Sequence, residues 1–97
     1  MEVRVQSVKF DADNKLVDYA VKKVEKLDRF FDGIIAAEVT MSLTPDYDNK
    51  KVSIRLEIPG HDLLVDRHCK TFEEAIIQCV DALKIQVQKT KEKMRGE

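Results

Sequence analysis

The 97-residue chain has no tryptophan, two cysteines, two prolines and three glycines, and its formal net charge is only −1. Each scarcity excludes something. So few glycines and prolines rule out a collagen-like repeat, a Gly/Ser linker or a Pro-rich tract. The glycines are isolated, so there is neither a Walker phosphate loop nor a dinucleotide fingerprint. Two cysteines cannot form a disulfide framework, and Cys69 and Cys79 read as reduced thiols of a cytosolic protein. The longest apolar runs are a few residues, far short of the ~20 that cross a bilayer. Met1-Glu-Val-Arg-Val5 has no continuous apolar stretch and does not read as a signal peptide. These features point to one domain, no membrane and a cytoplasmic location.

What the chain does have is charge: 36% of its residues are Asp, Glu, Lys or Arg. The distribution is uneven. Residues 84–97 hold five cations (Lys84, Lys89, Lys91, Lys93, Arg95) and two anions (Glu92, Glu97), a sum of +3. The other 83 residues hold twelve cations and sixteen anions, a sum of −4. The C-terminal end is the electropositive pole.

Hydrophobic periodicity defines the elements. Val3 and Val5 alternate with Glu2, Arg4 and Gln6, which predicts a half-buried strand over 2–8. Asp13 is a good N-cap for a helix over 14–31 with a spine of Leu16, Ala20, Val24, Leu27 and Phe31. Gly33 is expected to stop it through a left-handed backbone. Alternation over 38–43 and 51–58 predicts two strands joined by the turn-forming stretch Thr44–Lys50. Pro59-Gly60 turns into a weaker strand over 62–68, with Leu63 and Val65 inward. Thr71-Phe-Glu-Glu74 is a capping box opening a second helix to about Met94, with the spine Phe72, Ile76, Val80, Leu83 and Val87. The order is β-α-β-β-β-α. Strands with one apolar face and helices with one apolar stripe combine most economically as an α+β fold, a four-stranded sheet with both helices on one face. A right-handed first crossover makes strands one and two parallel if they are neighbours.

Both helices also carry a cationic line. Lys22, Lys26 and Arg29 follow i, i+4, i+7 spacing with Lys15 nearby, and so do Lys84, Lys91 and Arg95 with Gln88 between them. Cations on rigid helices meet phosphates at little ordering cost, and about six such contacts would give a log–log salt slope of roughly −4 to −5. The plainer alternative is a solvated face, with Asp18–Lys22 and Glu25–Arg29 as i, i+4 pairs. The strand cores hold no aromatic residue, so base stacking on the sheet is not expected. Contact with nucleic acid should be mainly through backbone and shape.

Other chemistry is thin. His61, His68, Cys69 and Cys79 match no zinc spacing, and neighbours on a strand such as His68 and Cys69 face opposite ways. A Cys-His nucleophile has no recognisable orienting group or oxyanion loop. Asp13 and Glu74 have capping roles, and Asp46 and Asp48 suit a turn. No cofactor, metal, catalytic residue or small-molecule substrate is expected.

The segment Lys26-Leu-Asp-Arg-Phe-Phe-Asp32, the opening Thr71-Phe-Glu-Glu-Ala-Ile76 and the run Asp81-Ala-Leu-Lys-Ile-Gln-Val-Gln-Lys-Thr-Lys91 carry a resemblance. The chain resembles, over its whole length, the ribosome hibernation promoting factor family, also called the ribosome-associated inhibitor or sigma-factor modulation family. The resemblance implies a non-catalytic cytoplasmic factor, monomeric off the ribosome. It would bind the small ribosomal subunit between head and body, occupy the mRNA and tRNA channel, and inhibit translation in stationary phase or stress. By position, the implied contacts to the rRNA backbone are Lys22, Lys26, Arg29, Lys84, Gln88, Lys89 and Lys91, with Lys93 and Arg95 further out. Two departures stand out: Ile85 begins an Ile-Gln-Val step where the family usually has Arg-Gln-Leu, and Ala82 replaces a usual lysine. Ile85 should be exposed, opposite the spine. The resemblance over 1–97 is to the short family form, and it implies a single ribosome-binding domain without the C-terminal dimerisation domain of the long form. The alternative is another module that reads structured or double-stranded RNA through its backbone.

Overall fold

The computed structural model describes residues 1–95, with side chains as far as Lys93. Its elements are β1 (Glu2–Val8), α1 (Asn14–Glu25), a 3-10 turn (Lys26–Arg29), β2 (Ala36–Leu43), β3 (Lys50–Ile58), β4 (His61–Cys69) and α2 (Phe72–Arg95). The expected β-α-β-β-β-α order is the one observed, and β2, β3 and β4 each extend a residue or two beyond their alternating patterns. The sheet order is β1-β2-β3-β4, with β1 parallel to β2 and the other pairs antiparallel.

Register puts the apolar residues in rows. Val5 lies opposite Val39, Val39 opposite Ile54, and Ile54 opposite Val65. Both helices cover this face, and the core is the layer between. Leu27, Met41, Ile54, Leu56, Ile76 and Leu83 are its largest fully buried side chains, each contributing roughly 1.5–3 kcal/mol by leaving water. The uncovered face carries a cross-strand charge lattice. Arg55 reaches Glu38 at 2.9 Å, Glu57 at 3.6 Å and Asp62 at 3.8 Å, and Arg4 reaches Glu38 at 3.4 Å and Glu57 at 3.5 Å. These half-exposed pairs add little stability singly, but they neutralise Arg4 and Arg55; the third sheet arginine, Arg67 of β4, is exposed and donates to the Asp66 carbonyl at 2.7 Å.

The first helix departs from its expected bounds. Asp13 Oδ1 accepts a hydrogen bond from the Leu16 N–H at 2.8 Å, as an N-cap should. The α-helix, however, ends at Glu25 rather than Phe31, and Lys26–Arg29 winds as a 3-10 turn closed by Phe30 N–H donating to the Leu27 carbonyl at 3.0 Å. Tightening the last turn gives terminal carbonyls a partner and leaves Leu27 fully buried. Gly33 does not provide a left-handed stop, since among the described residues only Gly60 (φ 94°) and Lys9 (φ 70°) have positive φ. What Gly33 supplies is room: a Cβ there would lie 3.0 Å from the Phe31 ring. Gly60 does need its freedom, as the second residue of the two-residue loop between β3 and β4.

At the start of α2, Thr71 Oγ1 accepts from the Glu74 N–H at 3.1 Å, and Glu73 and Glu74 place negative charge at the helix N-terminus. The buried side of α2 is Phe72, Ala75, Ile76, Cys79, Leu83 and Val87, with Val80 only half-buried. Phe10 stacks on Phe72 with centroids 4.8 Å apart, pinning the β1–α1 connection to α2.

Both cysteines are buried and free. Cys79 Sγ donates to the Val52 carbonyl at 3.4 Å, and burial pushes its thiol up from 9.0 to about 12. Burial raises the Cys69 thiol too. At pH values below 9.0 the Cys79 thiol is protonated in the folded and unfolded chain alike. Above that the unfolded thiol ionises first, the unfolded state binds fewer protons, and the stability lost is roughly 1 kcal/mol per pH unit. Denaturant midpoints should therefore fall from pH 9.0 towards about 12, and Cys79→Ala should make that fall shallower. An equally steep fall in the variant would assign it to other groups.

Candidate nucleic-acid interface

The seam between α1 with its 3-10 turn and α2 gathers the cations. Lys22, Lys26, Arg29, Lys84, Gln88, Lys89, Lys91 and Lys93 are all exposed; the Arg95 side chain lies outside the described residues. The 3-10 turn contributes directly. Residues three apart eclipse one another in that geometry, so Lys26 and Arg29 line up while Leu27, between them in sequence, points into the core.

Three shallow clefts run along this seam and share residues. Lys22, Glu25, Lys26 and Arg29 line one of about 330 Å³. Lys23 and Lys26 line the next, of about 190 Å³, with Ile77, Val80 and Asp81 of α2. Arg29 and Phe30 line the third, of about 380 Å³, with Gln88, Lys91 and Glu92. Lys26 and Arg29 each belong to two clefts, so the first helix's stripe runs into that of α2. Lys84 is tied to the same place, its Nζ 4.7 Å from the centroid of the Phe30 ring. Such a cation–π contact is worth about 0.5–1 kcal/mol near a surface.

Not every expected contact joins this seam. At 100° per residue, Lys84, Gln88 and Lys91 fall on one line of α2, while Lys89 and Lys93 are turned 140–180° from Lys84. Neither lines any of the three clefts. Ile85 is exposed, at 55%, away from the buried spine of α2. Ala82 is half-buried.

Sequence reasoning missed Lys23. It lies between the stripe and the spine of α1, half-buried, with its Nζ 5.4 Å from the Tyr19 ring centroid. The Lys22-Lys23 doublet was the available signal. Phe30, beside the spine residue Phe31, is half-buried and its ring forms part of the surface of the seam.

The seam cations are also unspent. Among the described residues, ion pairs within 4 Å occur on the sheet face and between the N-terminal amine and Asp28. The expected Asp18–Lys22 and Glu25–Arg29 pairs are not among them. For the second pair the reason is local: the 3-10 turn begins right after Glu25 and breaks the i, i+4 geometry. The plain solvated-face alternative therefore loses its intrahelical pairing partners.

Residues 3–95 match the model of a family described as sigma 54 modulation protein / S30EA ribosomal protein. The chain belongs to that family. It is 29% identical over 93 residues to a ribosome hibernation promoting factor of Azotobacter vinelandii, covering 96% of this chain and 85% of that protein. A protein of the same name from Pseudomonas putida is 27% identical over 96 residues, covering 99% of this chain and 92% of its own length. Among solved structures, the N-terminal domain of Thermus thermophilus Protein Y superposes with a TM-score of 0.82 at 27% identity, over 93% of this chain and 99% of that one. A ribosomal subunit interface protein from Coxiella burnetii superposes with a TM-score of 0.84 over 94% and 98% of the two chains. At 16% identity it is a likeness of fold. Family membership agrees with the resemblance read from the helix endings. No helix among the described residues is long and apolar enough to cross a membrane.

Proposed function

We propose that this chain is a cytoplasmic, non-catalytic ribosome hibernation factor. It binds the small ribosomal subunit in the channel used by mRNA and tRNA and holds translation silent in stationary phase or stress. The observation that carries the reading is the α1–α2 seam, a line of exposed cations without ion-pair partners, on a chain whose curated relatives are named for ribosome hibernation. On the uncovered sheet face Arg4 and Arg55 are already neutralised by Glu38, Glu57 and Asp62, so the helical side is the one that faces rRNA phosphates. Release of counterions from those phosphates supplies the affinity and makes it salt-dependent.

Cosedimentation with purified ribosomal subunits across a salt series tests this. The expected result is binding to the small subunit that weakens linearly on a log–log plot. A protein that stays in the supernatant at low salt while binding a free RNA duplex would instead be a module reading RNA by shape.

A further inference from the structure

The cleft that joins the ends of the two basic stripes is lined by more than phosphate-binding groups. Arg29 comes from the 3-10 turn and Phe30 follows it; Gln88, Lys91 and Glu92 come from α2. Two cations suit a phosphate. The Gln88 amide can donate to a phosphate too, but an aromatic ring and a carboxylate do not suit one, and a carboxylate beside a bound phosphate is repulsive. Ring, amide and carboxylate together suit a nucleobase: unpaired bases are recognised by stacking on aromatic rings and by hydrogen bonds to their Watson–Crick edge. Lys84 lies over the Phe30 ring and fixes it at the cleft wall. The volume, about 380 Å³, is in the range of small-ligand sites.

From this constellation we infer that the cleft between Arg29, Phe30 and the Gln88–Glu92 turn of α2 is a niche for one unpaired guanine nucleotide of RNA. Guanine is the base that offers two adjacent N–H donors, N1–H and the N2 amine, to a single carboxylate, which is the role of Glu92. The Phe30 ring stacks on the base, Gln88 bonds a further polar edge, and Arg29 and Lys91 hold the phosphate. Among the described residues Glu92 has no ion-pair partner within 4 Å, Arg29 and Lys91 included. The niche rests on the RNA-binding reading above and adds to it a base-specific contact on a surface otherwise expected to touch only backbone.

The test is an amide NMR titration of the isotope-labelled protein with guanosine 5′-monophosphate, cytidine 5′-monophosphate and inorganic phosphate, followed by the oligoribonucleotides UUGUU and UUCUU. The guanosine nucleotide should shift the amides around Arg29, Phe30 and Gln88–Glu92 and bind several-fold more tightly than the cytidine nucleotide or phosphate. Glu92→Gln should weaken it about tenfold, the size of one lost bidentate base contact, while inorganic phosphate binds the variant at least as well as before. UUGUU should bind more tightly than the free nucleotide and than UUCUU. Equal affinity for the two mononucleotides and phosphate, or an undiminished guanosine preference in Glu92→Gln, would overturn the niche. A guanosine preference that UUGUU does not improve on would overturn RNA as its source. Wild-type cosedimentation with the small subunit is read separately. If it fails while the guanosine preference holds, the ribosomal reading falls and the niche stands; if it succeeds without that preference, the reverse is true.

Discussion

Replacing Lys26, Arg29 and Lys91 together by glutamate should reduce affinity for the small ribosomal subunit by at least about two orders of magnitude at ~0.1 M salt, and make the log–log salt slope shallower by about 2. The three residues sit at the junction of the clefts, Lys26 and Arg29 in two clefts each and Lys91 across from them on α2. Each lost phosphate contact on single-stranded RNA removes roughly 0.7 from the slope, and reversal adds repulsion to the loss. All three are exposed, so the thermal melt should move little. The informative comparison is Lys51→Glu on the sheet, opposite His68 and distant from the seam. It changes the net charge in the same direction and should change affinity far less. If affinity tracks net charge wherever the substitutions lie, the seam is not the contact surface.

Leu27→Ala should cost about 3–5 kcal/mol, a large part of the ~5–15 kcal/mol that stabilises a small domain. Leu27 is fully buried although it lies in the four-residue 3-10 turn. Truncating it removes the one inward anchor of a turn whose other positions, Lys26, Asp28 and Arg29, are exposed. The denaturant midpoint should fall with the slope of the transition unchanged, as for a cavity that leaves the folded state compact. The RNA-facing side should suffer as well, because the anchor that holds Lys26 and Arg29 in line is gone. A cost below ~1 kcal/mol would mean that the turn repacks around the missing side chain.

Where period and burial agree, the sequence was easy to read. The strand alternation around Val39 and Ile54 has its counterpart in opposed rows of the sheet, and Asp13 and Thr71 cap the helices they were expected to cap. The α1 terminus was misread because Leu27 and Phe31 continue the 3.6-residue spacing, and periodicity alone does not separate an α-turn from a 3-10 turn over four residues. Gly33 illustrates a different blind spot. Glycine after a helix suggests backbone conformation, while here its use is steric, against a ring two residues earlier. Ala75 and Cys79 stand outside the spine that periodicity picks out, because small side chains weigh little in a hydrophobic pattern, yet both are fully buried.

The candidate surface was legible as two separate stripes, since helical spacing identifies a line on each cylinder. How the cylinders sit against each other is a tertiary matter. It decided that Lys84 would lie over Phe30, that Lys23 would enter the seam, and that Lys89 and Lys93 would turn away from it. Charge pairing was also hidden: the sequence offers Glu25 to Arg29, but the turn type withdraws it.

Val87 is the last buried residue of α2 among those described, and from Gln88 to Lys93 the helix has only Thr90 half-covered. That stretch stands clear of the core, and its winding depends on local propensity, which falls as temperature rises. It also carries Gln88, Lys91 and Glu92, one whole wall of the largest seam cleft. If that wall meets RNA, affinity should fall faster on warming than the salt-dependent charge contacts alone would make it, because the winding of Gln88–Glu92 has then to be supplied at binding.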